Sequence, residues 1–324
     1  MRFYKQKKCN YLAYILLCLP LLNAKTIKVE EILLSGDITN PGNEISGMDW
    51  HQGFLFMIPE NLNNFVYAIP KIEIDNYFLS TKPIPIVPKK IKFKSPNYKS
   101  LIDGFDGFEA IAFYKENVFF SIEAKSDNYM KGFISWGRSD PLTQEIFIPK
   151  DNLIEIKTPI QIDNMSYESI IVNKNNLILL YEANGVNLQK SPEHKIFSMI
   201  NFSTSKINSI NIEYRITDAT KIDSEGKFWC INYLWPGDEM KLKPDEEFYL
   251  NEIQKNKNFK QIERLIELEL KDGKILLSDN EPINFELENN MSRNWEGLVR
   301  YREDSFLIVT DKYPRMILGL VKNN

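Results

Sequence analysis

The sequence predicts an all-β protein, a five-bladed β-propeller closed by its own N-terminal strand. Three observations lead there. Short apolar runs rich in aromatic and β-branched residues alternate with Gly, Pro, Asn and Asp, the pattern of strands joined by tight turns. One unit recurs five times: Glu44–Glu60 (EISGMDWHQGFLFMIPE), Gly107–Glu123 (GFEAIAFYKENVFFSIE), Ser166–Glu182 (SYESIIVNKNNLILLYE), Ile216–Tyr233 (ITDATKIDSEGKFWCINY) and Asn294–Asp311 (NWEGLVRYREDSFLIVTD). The strand count also leaves one gap. Copies one to four each supply four strands, copy five supplies three, and Lys25–Gly36 (KTIKVEEILLSG) is a lone strand without a neighbour. A ring of four-stranded sheets closed from the other terminus fills that gap and hides the open sheet edges. An open β-sandwich and a six-bladed ring are the competing arrangements.

Each unit holds a polar motif residue, a strand, a polar turn, a second strand and a second acid. The motif residues align as Ser46, Glu109, Glu168, Asp218 and Glu296, and the second acids as Glu60, Glu123, Glu182 and Asp311. An antiparallel hairpin of this length returns its ends to one place, so both acids of a unit belong at the same end. The outer strands follow in order. Ile84–Lys94, marked by Pro83, Pro85 and Pro88, reads as an edge, and Glu145–Ile156 is broken at Pro149. Pro236–Gln261 is an insertion in blade four, with a short capped helix expected over Asp245–Lys255. It reads equally as a lid or as a surface decoration. Phe108, Tyr167 and Trp295 beside the acids read as packing between blades rather than as a stacking floor.

Residues 1–24 stand outside the fold. Arg2, Lys5, Lys7 and Lys8 precede an apolar run from Tyr11 to Leu22, and Ala24 offers a small residue before a cut, the pattern of a secretory signal peptide. The run is short for a membrane span, and a lipid anchor at Cys18 is a minor alternative. The expected mature domain is 25–324, exported to a periplasm or secreted. Loss of four basic residues takes the formal net charge from −4 to −8. No basic run with interleaved aromatics suggests nucleic acid. Cys230 alone then remains, which excludes an internal disulfide.

In a propeller the first strand of every blade lines the axis, so the motif residues converge on one mouth. Four carboxylates ~6 Å apart repel by about 3 kcal/mol per pair at an effective dielectric of about 20. Protons, bases or a cation must offset that. Ser46, Glu109, Glu168, Asp218 and Glu296 are oxygen donors, a hard-cation set that suits Ca²⁺ better than Zn²⁺. With only His51 and His194 in the chain, and His194 in an exposed-looking Ser-Pro-Glu-His loop, no nucleophile–histidine pairing is indicated. If the protein is a hydrolase, Glu123, Glu182 and Asp311 are the candidate catalytic bases. Lys125, Lys312 and Arg315, which follow the second acids, are candidates to bind an anionic substrate.

These motifs resemble the phytase-like propeller family named for an "esterase-like activity of phytase". The resemblance lies in ISGMDW at Ile45–Trp50, FEAIAF at Phe108–Phe113, YESIIV at Tyr167–Val172, TDATKI at Thr217–Ile222 and WEGLVR at Trp295–Arg300. It implies an exported propeller acting on ester or phosphoester small molecules. A looser likeness is to calcium-activated apyrases, whose channel ring resembles Ser46, Glu109, Glu168 and Glu296; Asp218 stands where that ring has a serine. The alternative to a Ca²⁺-dependent hydrolase is a non-catalytic propeller that binds a small ligand or a protein at the mouth, with the ion serving structure.

Overall fold

The computed structural model describes residues 26–62, 64–127, 129–140, 145–245, 261–287 and 292–323. The expected signal peptide therefore lies outside the described residues, as does nearly all of the expected helix in the blade-four insertion. Only a four-residue helix, Glu239–Leu242, is described in that segment.

The strands fall into five antiparallel groups, joined into three continuous sheets where Lys89–Lys94 pairs parallel with Glu145–Phe147 and Thr204–Ser209 with Lys274–Leu277, so the expected edge at Lys89–Lys94 is covered. Blade one is Ile45–His51, Phe54–Pro59, Phe65–Pro70 and Lys89–Lys94. Blade two is Phe105–Tyr114, Asn117–Ser126 and Tyr129–Asp140, with its fourth position split between Glu145–Phe147 and Leu153–Ile156 around Pro149. Blade three is Tyr167–Asn173, Asn176–Tyr181, Glu193–Ser198 and Thr204–Ser209. Blade four is Arg215–Ala219, Lys227–Leu234, Ile262–Lys271 and Lys274–Leu277. Blade five is Trp295–Arg302, Ser305–Thr310 and Leu318–Lys322.

Blade five is completed by Glu30–Ile32, which pairs antiparallel with Leu318–Lys322. The same N-terminal run stitches three blades. Thr26–Ile27 pairs with Ile283–Phe285 beside blade four, and Leu34 bridges Ile86 at the edge of blade one. The inner strands touch in cyclic order, each against its two neighbours and the last against the first. This is the closed ring of a propeller.

The apolar core lies in the seams between blades. Leu55 and Met57 pack with Val299 and Leu307 of blade five, whereas Phe56 and Ile58, on the other face of the same strand, pack with Phe108 and Phe120 of blade two. Similar clusters fill the remaining seams. A strand with neighbours on both faces must be apolar at every position, hence the continuous runs FLFMIP and NLILLY. Phe108, Tyr167 and Trp295 are buried in these seams, as expected. Helix Lys71–Leu79, which sequence periodicity does not announce, sits between the third and fourth strands of blade one and buries Ile74.

Candidate functional site

Backbone bulges aim the motif residues. In blade one Ile45 pairs with Pro59 and Gly47 with Ile58, which leaves Ser46 unpaired. Glu109 falls in the same way between Phe108 and Ala110, Glu168 between Tyr167 and Ser169, and Glu296 between Trp295 and Gly297. A bulge kinks its strand and redirects the extra side chain. The inner strands are also tightly apposed: a Cβ on Gly47 would lie 3.1 Å from Ala110 Cα and 3.2 Å from the Glu109 carbonyl oxygen. Ser46, Glu109, Glu168 and Glu296 consequently line one cavity of about 260 Å³, together with Glu123, Glu182, Asp311 and Lys312.

Blade four requires a correction. There Ile216 pairs with Asn232 and Ala219 with Cys230, so two residues, Thr217 and Asp218, occupy the bulge. The Thr217 hydroxyl donates to the Trp295 carbonyl at 2.7 Å, and the Ser46 hydroxyl donates to the Phe108 carbonyl. Each of those carbonyls belongs to the residue before the next blade's motif glutamate, so Thr217 holds the position expected for Asp218. Asp218 lines a separate cavity of about 60 Å³ at the far end of the channel. Its carboxylate accepts from the Ala219 amide (2.7 Å), the Leu298 amide (2.6 Å) and the Ser169 hydroxyl (3.5 Å).

The mouth has two tiers. In the inner tier no hydrogen bond or ion pair reaches the carboxylates of Glu109, Glu168 or Glu296 among the described residues. Burial, and then the neighbouring carboxylates, pushes all three well above the usual range. In the outer tier, burial and a hydrogen bond with Glu44 push Glu60 up to about 9. Burial and the charge of Glu182 push Glu123 up to about 8. Burial lifts Glu182 to about 7, opposed by Arg215. Burial also raises Asp311, opposed by the Tyr313 amide (2.7 Å) and the Asn294 side chain (2.9 Å). One carboxylate oxygen each of Glu123 and Glu182, the two Oε2 atoms, is buried with no partner.

The basic residues at and near the mouth are already committed. Arg215, which the sequence reading does not single out, pairs with Glu182 at 2.6 Å and with Asp238, at the base of the blade-four insertion, at 2.7 Å. Lys312 lines the mouth but is ion-paired to Glu44. Lys125 pairs with Asp163 at 2.5 Å, and Arg315 forks onto both oxygens of Glu31 at 2.6 Å; neither lines the mouth. Lys125 and Arg315 thus stand away from the mouth where they were expected to bind an anionic substrate, while Lys312 lines it with its ammonium paired to Glu44.

His194 is buried rather than exposed. Its Nδ1 accepts from the Tyr181 amide at 2.9 Å, its Nε2 lies 3.0 Å from the Ser209 hydroxyl, and burial lowers its pKa to about 3. Cys230 is buried, as its strand position suggests. The donors at the mouth are all oxygen, and Ser46, by donating its proton to Phe108, keeps its oxygen lone pairs free for a cation. This chemistry fits a hard cation. Among the described residues no three acids are already closed round a single ion-sized point.

No family model matches the chain, and no curated protein matches it. Among solved structures the chain is similar to an exo-1,5-alpha-L-arabinanase from a bovine ruminal metagenomic library, at 9% identity over 89% of this chain and 94% of that one, with a TM-score of 0.49. It is similar to a glycosyl hydrolase from Bacteroides ovatus at 8% identity over 93% and 97%, TM-score 0.49. It is also similar to a glucose dehydrogenase at 8% identity over 90% and 99%, TM-score 0.44. Likeness this distant decides no chemistry, and the architecture rests on the strand pairing itself. The resemblance to phytase-like propellers and to apyrases is not upheld by any of these comparisons, and the ester and phosphoester substrates it implied lose their basis with it.

Proposed function

We propose that the mouth binds a hard divalent cation, best matched by Ca²⁺, and presents it to a neutral small ligand. One observation carries this reading: three carboxylates from three blades, Glu168 buried and Glu109 and Glu296 half-buried, face one cavity without a donor among the described residues. Repulsion of about 3 kcal/mol for each pair ~6 Å apart needs a counter-charge. Glu109, Glu168 and Glu296 would hold the ion, with the Ser46 oxygen as a neutral ligand and water completing the six to eight oxygens that Ca²⁺ takes. When bound, such an ion polarises an oxygen of its ligand. A neutral ligand suits a mouth whose Arg215 and Lys312 are each paired with an acid. Export, expected from residues 1–24, would place the site where calcium is abundant.

Metal analysis and calorimetry on the purified chain test this. Bound calcium, with affinity lowered at least tenfold in Glu168→Gln, supports the reading; a metal-free protein that takes up no calcium overturns it.

A second reading adds hydrolysis. Burial raises Glu123 to about 8 and Glu182 to about 7, so both lie at or just above neutrality and the two can share a proton there. A carboxylic acid beside a carboxylate is the pair that glycoside cleavage uses. Turnover of neutral glycosides that is lost in Glu182→Gln would favour it, and no turnover across such a panel would leave the binding reading alone.

A further inference from the structure

We propose a carbohydrate subsite beside the mouth, at the seam of blades one and two, in a cavity of about 390 Å³ lined by Asn61, Asn64, Asn97 and Phe105. It takes one unit of a neutral oligosaccharide whose next unit lies at the mouth. The subsite deepens the reading of the mouth as the place of a neutral ligand, and rests on it for that second unit.

The first support is position. Cavity and mouth lie on two sides of one wall. Glu60 lines the mouth, and Asn61, the next residue, lines the cavity; Asp106 lines the mouth, and Phe105 and Phe108 line the cavity. The Phe108 amide donates to the Glu60 carbonyl at 3.1 Å and ties the two stretches together. A ligand of more than one unit can therefore engage both places, and the second contact is then intramolecular.

The second support is chemistry. No acid lines the cavity, which sets it apart from the mouth, and Lys99, its one basic lining residue, is exposed. Asn61, Asn64 and Asn97 are exposed, and no hydrogen bond among the described residues uses their side chains. Asn97 even precedes the short helix Tyr98–Leu101 without capping it. A carboxamide offers both donors and an acceptor, the complement of a hydroxyl, which gives and takes a hydrogen bond. Phe105 supplies an apolar surface. Its half-buried ring stacks on Tyr98 (6.1 Å, 10°) and meets Phe108 edge-on (5.8 Å, 74°), while Tyr98 is buried and bonded to Ser135. A ring braced in this way loses little freedom when the C–H face of a sugar packs on it. A peptide strand fits less well, because it needs free backbone partners. Here the Phe93 amide is held by the Asn64 carbonyl at 2.8 Å and the Phe105 amide by the Ile102 carbonyl at 3.3 Å.

Calorimetry of the full chain in calcium, with xylotriose, cellotriose and maltotriose and their monosaccharides as probes, tests the subsite. At least one trisaccharide should bind about tenfold or more tightly than its monosaccharide. Asn61→Ala and Asn97→Ala, at exposed positions, should each weaken that trisaccharide about fivefold, and Phe105→Leu about tenfold, with calcium affinity unchanged in all three. The two asparagine variants decide if Phe105→Leu fails to fold. No binding by any sugar of the panel overturns the subsite, even where calcium binds. Binding that is unchanged in both asparagine variants overturns it as well. A trisaccharide that binds with these losses to a chain that takes up no calcium upholds the subsite and refutes the cation at the mouth alone.

Discussion

The two ends of the channel hold the same kind of side chain in opposite circumstances. At the far end Asp49 accepts from the Trp50 and Phe113 amides, both at 2.7 Å, and pairs with Lys221 at 2.8 Å. Asp218 is met on both oxygens by backbone donors from its own blade and from blade five. Burial pushes both acids up, but each oxygen is an acceptor, so the ionised form is the one the geometry fits. At the mouth Glu168 is as deeply placed, Glu109 and Glu296 are half-buried, and all three meet one another's charge instead. Acids at the far end join blades together. Those at the mouth hold the blades' charges close together, a cost that protons or a bound cation offset.

The contrast can be broken by making one change at both ends. Asp218→Asn turns an amide NH₂ toward a backbone N–H and should destabilise the protein by about 3 kcal/mol, with calcium affinity unchanged; urea unfolding measures the first and calorimetry the second. Next in size is acid sensitivity. In chelator, Glu60 and Glu123 have folded pKa values of about 9 and 8, above the ordinary 4.5, so their destabilising effect fades and stability rises as pH falls from 9 toward 4.5. His194 works the other way. Its folded pKa of about 3 lies below 6.5, so stability is lost as pH falls below 6.5, by roughly 3 kcal/mol at pH 4.5. With calcium bound the carboxylate gain vanishes, and unfolding curves at pH 8, 6.5 and 4.5 should slope oppositely with and without the ion. Calcium at a hundredfold excess over its Kd should add about 2.7 kcal/mol at a single site, read as a rise in Tm that chelator abolishes. Glu168→Gln should stabilise the ion-free protein by about 2 kcal/mol, the reverse of Asp218→Asn. The smallest effect belongs to Lys221→Met, about 1 kcal/mol or less, since that lysine is half exposed.

The ring was legible because strands buried on both faces write continuous apolar runs, and because the hairpins repeat at a nearly constant offset. The second acid sits opposite, or donates its amide to, the residue two before the motif: Glu60 to Glu44, Glu123 opposite Gly107, Glu182 to Ser166, Asp311 to Asn294. That shared register is why Glu123, Glu182 and Asp311 reach the mouth as expected. The slip at Asp218 has a physical cause. A bulge breaks the period of two, and in blade four the break contains both a hydroxyl and an acid, so matching charge selected the wrong one. The partners of Lys125 and Arg315 lie 38 and 284 residues away, at Asp163 and Glu31, beyond any local pattern. Arg215 left no motif at all. It is recognisable only once Glu182 and Asp238 are seen on either side of it.

The seam at Glu30–Ile32 has a consequence for how the molecule is made. Strand Leu318–Lys322 emerges some 290 residues after the strand it must grip, and Lys322–Glu30 and Arg315–Glu31 clasp the same junction. Four blades can assemble on a growing chain, but the circle stays open until the fifth arrives, and strand Glu30–Ile32 must wait for its partner until the end.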